Sequence, residues 1–134
     1  MLFAPFIINF FMINPVFGAG NLLEVRFEKA PNFVHEYKIK KAAKSKKGYI
    51  LSFINEKRQV RDTVISEDEF QGIMYKATEI FWENAYRKPA AIKNCQKYME
   101  LKMHNESTTI CHQNVTTTGM SYGFLNLLHR MIHK

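Results

Sequence analysis

The sequence predicts an α+β fold: a mostly antiparallel sheet in the order ββββ-α-ββ-α, with the two helices packed on one face. Three observations carry this expectation. Between residues 23 and 65, apolar and polar side chains alternate in four short runs, the period of half-buried strands. A capped amphipathic stretch then begins at Ser66, and a second apolar stripe at helical spacing closes the chain. Strands and helices do not alternate one by one, so nothing calls for the crossovers of a parallel sheet.

The first strand is carried by Leu23, Val25 and Phe27, which alternate with Glu24, Arg26 and Glu28. Pro31-Asn32 signals a turn. A second strand runs from about Phe33 to Lys41, with Phe33, His35, Tyr37 and Ile39 on one face. After a lysine-rich connection ending at Gly48, Tyr49 to Ile54 forms a third. Both of its faces are largely apolar, which predicts a central place in the sheet. Asn55-Glu-Lys57 turns the chain into a fourth strand, Arg58 to Ile65.

Ser66-Glu-Asp-Glu69 is a capping box, and its acidic residues suit a helix N-terminus. Phe70, Ile73, Met74, Ala77, Ile80 and Phe81 follow at helical spacing, so a core-facing helix should run to about Asn84, before Pro89. Tyr98–Met103 and Ser107–Gln113 predict a hairpin about Asn105-Glu106. A run of threonines leads to a last helix, about Met120 to Ile132, with the stripe Met120, Phe124, Leu127, Leu128 and Met131.

Residues 1–20 are uncharged, rich in Phe and end in small residues, the pattern of a cleaved signal peptide, although no basic residue opens it. Asn9, Asn14 and Pro15 interrupt the run as a spanning helix. Residues 21–134 are then one small domain in a secreted or periplasmic setting. The first formal charge is Glu24, so the net charge of +7 belongs entirely to that domain. Such a balance favours an anionic surface, polymer or acidic protein as partner, and it also keeps a small protein soluble.

Cys95 and Cys111 are the two cysteines, and an isolated pair in an oxidising compartment predicts a disulfide. Its loop of about 17 residues is worth on the order of 3 kcal/mol. Asn105-Glu-Ser107 and Asn114-Val-Thr116 are acceptor sequons that matter only in a eukaryotic secretory path.

Four groups invite a chemical reading. Lys38, Lys40, Lys41, Lys44, Lys46 and Lys47 crowd one connection beside Tyr37 and Tyr49, and suggest an anion-binding loop or a solvated one that deters edge pairing. Gly119-Met-Ser121-Tyr-Gly123 matches the nucleophile-elbow pattern. No Asp or Glu follows Glu106, however, so the serine, acid, histidine order cannot be completed, and Ser121 reads better as a helix cap. His129 and His133 lie four apart, the spacing of a helical metal pair, but lack a third ligand, so solvent-facing histidines are expected. His104 and His112 are scattered. The sequence therefore predicts no catalytic residues, no metal and no cofactor. A small exported binding or inhibitor-type domain is the leading expectation, using the lysine loop for an unknown protein or an anionic surface or polymer. A small secreted serine hydrolase built on Ser121 and a structural envelope component are the alternatives.

Overall fold

Six strands hydrogen-bond into one antiparallel sheet in a computed structural model that describes residues 20–29, 31–43, 47–87, 95–112 and 115–134. Residues 86–87 and 115–118 are described by backbone alone. The strands are β1 (Leu23–Lys29), β2 (Phe33–Lys41), β3 (Tyr49–Ile54), β4 (Val60–Ile65), β5 (Lys97–Met103) and β6 (Glu106–Cys111). Their spatial order is β4-β3-β2-β1-β5-β6. Helix α1 (Glu67–Arg87) connects β4 to β5, and α2 (Val115–Ile132) follows β6. The predicted order ββββ-α-ββ-α and the shared helix face are both present. The predicted signal segment lies, apart from Gly20, outside the described residues.

The period of two decides which side chains meet the helices. Leu23, Val25 and Phe27 of β1 stand opposite Ile39, Tyr37 and His35 of β2, and opposite Met103, Leu101 and Met99 of β5. That row continues through Leu51 and Phe53 of β3 and Ile110 of β6. Most of these side chains are buried, each aliphatic one contributing about 1.5–3 kcal/mol. The other face carries charge, with Arg26 paired to Glu28, and Arg58 and Lys38 both paired to Glu36.

Each helix is pinned at identifiable points. The Ser66 amide donates to the Glu69 carboxylate at 2.9 Å, and the Glu69 amide donates to the Ser66 hydroxyl at 3.1 Å, so the capping box is closed in both directions. Phe70 stacks on Tyr49 at 3.8 Å between centroids, and the buried Asn84 amide donates to the Thr108 hydroxyl at 2.7 Å. Helix α1 thus crosses from β3 to β6. Gly48 has φ of 98°, and a Cβ there would stand 2.5 Å from the Ile65 carbonyl oxygen, so only glycine admits the entry to β3. Cys95 and Cys111 form the predicted disulfide, with Cα atoms 5.9 Å apart, and tie the start of β5 to the end of β6.

Some boundaries differ from expectation. Strand β3 lies second from the edge, not at the centre; the open-face apolar residues Ile50 and Ile54 sit beside the exposed Val64 and Val60 of edge strand β4. Strand β4 begins at Val60, because Arg58 takes a left-handed φ of 62° in the preceding turn. The hairpin turns at His104 and Asn105, both left-handed, as a two-residue connection demands. Helix α1 runs three residues past Asn84. Helix α2 begins at Val115, so the threonine run is its first turn rather than its approach. Its most buried line is Ser121, Phe124, Leu128 and Ile132, while Met120, Leu127 and Met131 are only half-buried.

Candidate functional site

A cleft of about 370 Å³ opens where α2 crosses the ends of β1, β2 and β5. Strand alternation places Phe27 and Lys29 of β1, Phe33, His35 and Tyr37 of β2, and Lys97 of β5 on the helix side. From above, α2 supplies Tyr122, Leu125, Asn126 and His129, spaced so that one helix face meets the opening. The wall is mostly aromatic. Phe27 meets Phe33 edge-on at 6.3 Å and Tyr122 at 6.2 Å.

Two lysines stand at the mouth. Lys29 and Lys97 are paired residues of neighbouring strands, so their side chains leave the sheet next to one another. The Lys29 ammonium lies over the Phe33 ring at 5.0 Å, and that of Lys97 over the Tyr122 ring at 5.1 Å. Among the described residues no carboxylate lies within ion-pair distance of either, and none lines the cleft.

Histidines frame both ends. His112 packs against Phe27 at 5.4 Å and Tyr122 at 4.7 Å, with both ring nitrogens buried and unpartnered. Burial first, then the charge of Lys97, pushes its pKa down to about 4, so it is neutral at pH 7. At the other end, Tyr37 and the His129 Nδ1 are 3.3 Å apart, and burial raises the Tyr37 hydroxyl to about 12. His35 pairs with Glu56 at 2.5 Å and meets the Phe53 ring edge-on. His129 and His133 lie 4.2 Å apart and both approach that same ring. Burial, then the neighbouring His133 and His35, lower the His129 pKa.

No protein-family model, no curated protein and no solved structure matches this chain.

Of the lysines singled out in the sequence, the four that are described do not share one face. Lys38 and Lys40 point to the open face of β2, where Lys38 reaches Glu36 at 3.7 Å. Lys41 leaves from the helix face, over Tyr49 at 5.8 Å. Lys47 is exposed, and Lys44 and Lys46 lie outside the described residues, as does Asn114. Asn105 is exposed at the hairpin tip.

Ser121 is neither an elbow nor a cap. It lies inside α2, fully buried, and its hydroxyl has no hydrogen-bond partner. A nucleophile elbow needs a strand-to-helix turn that exposes the serine, and here Gly119 and Gly123 are ordinary helical positions. His129 and His133 are exposed, as expected, but they are packed on Phe53 rather than free. Among the described residues no cluster of three metal-ligating side chains forms, and no helix is long and apolar enough to cross a membrane.

Two features escaped sequence reasoning. Lys29 and Lys97 are far apart in the chain and meet only through the β1–β5 register. Tyr75 and the lone Trp82 are 66% and 68% exposed on α1, two turns apart and off the apolar stripe. Their seven-residue spacing was a legible signal for that second feature. A depression of about 540 Å³ beside the β5–β6 turn contains Glu24, Glu106 and Lys102 but no phenyl, phenol or indole ring. Its mixed charge gives an anion little preference, so the aromatic cleft is the stronger candidate.

Proposed function

We propose that this chain is a small exported, non-enzymatic binding domain of inhibitor type, and that it engages its partner through the cleft under α2. One observation carries the reading: a concave, ring-lined opening of about 370 Å³ with two cations at its mouth. Its volume and lining are those of sites that hold ligand groups by apolar contact and a few directing polar atoms. The disulfide agrees with an oxidising compartment, which supports export. The net charge of +7 favours an anionic partner, with the lysines of 38–47 acting as a steering field around the domain.

The test is capture from the native secreted or envelope fraction with three baits. The first is the native chain. The second carries Asn126→Trp, which fills the cleft from an exposed helix position. The third has Lys40, Lys41, Lys44, Lys46 and Lys47 changed to Gln. A partner held by the native bait and lost on Asn126→Trp supports the cleft. Loss only on the lysine variant returns binding to the loop. Retention on both moves the search to the open sheet face and to Tyr75 and Trp82 of α1.

A further inference from the structure

We infer that the cleft under α2 takes a small amphipathic anion, its apolar ring body lying among Phe27, Phe33, Tyr37 and Tyr122 and its single anionic head resting between Lys29 and Lys97. The inference rests on the cleft being the binding site and adds the chemistry of what enters it.

The charge arrangement is the first argument. Like charges directly opposite one another on neighbouring strands are unfavourable. Among the described residues no carboxylate pairs with either lysine, and the ammonium groups lie over ring faces, at 5.0 Å for Lys29 and 5.1 Å for Lys97. Each ammonium is thereby held at the mouth with its remaining donors free for an anion. Lys38, Lys102 and Lys134 by contrast each lie beside a glutamate, while Lys41 over the Tyr49 ring at 5.8 Å has no second lysine opposite it.

The lining is the second argument. Past the two lysines the wall is phenyl, phenol and imidazole together with the Leu125 side chain, with Asn126 as the one amide side chain. A fully polar anion such as inorganic phosphate would leave those rings unused. A long polyanion would need a track of cations. Lys38 and Lys40 do not extend the pair into one, because strand alternation puts them on the open face of β2, away from the cleft. A monoanion with a compact apolar body matches two cations over an aromatic pocket.

Two fluorescent probes that share a ring system separate these elements: anilinonaphthalene sulfonate, which carries one negative charge, and phenylnaphthylamine, which carries none. Each is titrated into the oxidised full chain at neutral pH and low salt. The sulfonate is expected to bind at one site about ten-fold more tightly than the neutral probe. Added salt should weaken the sulfonate alone. The double variant Lys29→Gln/Lys97→Gln should lose that ten-fold advantage and keep the neutral probe within about two-fold, and Lys29→Arg/Lys97→Arg should restore it. Near-ultraviolet circular dichroism and a cooperative melt establish that each variant is folded. Equal affinity for both probes, or a sulfonate affinity untouched in the Gln variant while Asn126→Trp blocks both, overturns the anion inference and leaves the cleft as the binding site. If neither probe saturates, or Asn126→Trp changes neither, the cleft reading falls as well.

Discussion

Lys29 and Lys97 stand directly opposite each other across the β1–β5 ladder, on the face that the helices cover. Strand pairing alone would favour opposite charges there, by about 0.2–1 kcal/mol. Lys97→Glu is therefore expected to raise the urea midpoint slightly while abolishing binding of the anionic probe. A gain in stability coupled to a loss of binding marks a position held for function rather than for the fold. A variant that loses both together would assign Lys97 to the structure.

His112 should make the fold acid-sensitive. Its folded pKa of about 4 lies below the ordinary 6.5, because burial and Lys97 disfavour the charged ring. The unfolded chain then binds the extra proton first, so the contribution is complete above about pH 6.5 and is lost as pH falls towards 4. His112→Phe keeps a ring between Phe27 and Tyr122 and removes two unpartnered nitrogens. Chemical denaturation between pH 7 and pH 4 should show a flatter dependence in the variant, with stability at pH 7 equal or higher by about 1 kcal/mol.

Ser121→Ala should be neutral or stabilising by about 1 kcal/mol, since it removes a buried hydroxyl that has no partner. Alanine is also the better helix former. Thermal melting of the purified variant checks the first point. Labelling of the native protein by a fluorophosphonate would count against it, because the reagent needs an exposed, activated serine.

The disulfide joins the ends of β5 and β6 beside the cleft. Replacing Cys95 and Cys111 with serine is expected to cost about 3 kcal/mol in urea denaturation under oxidising conditions. Lys97 lies two residues from Cys95, so the sulfonate probe should weaken in the same variant even where it remains folded. Unchanged probe affinity would detach the disulfide from the site.

Local signals were legible wherever one short segment contained the whole determinant. The alternation of Leu23, Val25 and Phe27, the Ser66–Glu69 box and the stripe from Phe70 to Phe81 needed no distant partner, and each is found where expected. The start of α2 was hidden because Val115–Thr118 are β-branched and weak helix formers, a preference overridden in the folded chain. The reading of Ser121 as a helix cap failed for the same reason: a helix that starts at Val115 leaves it an interior position.

By itself, the sequence determined the α+β order, the faces of the strands, the cap of α1 and the cysteine pair, because those depend on period, spacing and count. Only the tertiary structure decided that β1 pairs with β5, that Lys29 therefore meets Lys97, and that α2 roofs the rings of β1 and β2. Register between distant strands is set by how a whole hydrophobic face packs, and no single segment of sequence contains that sum.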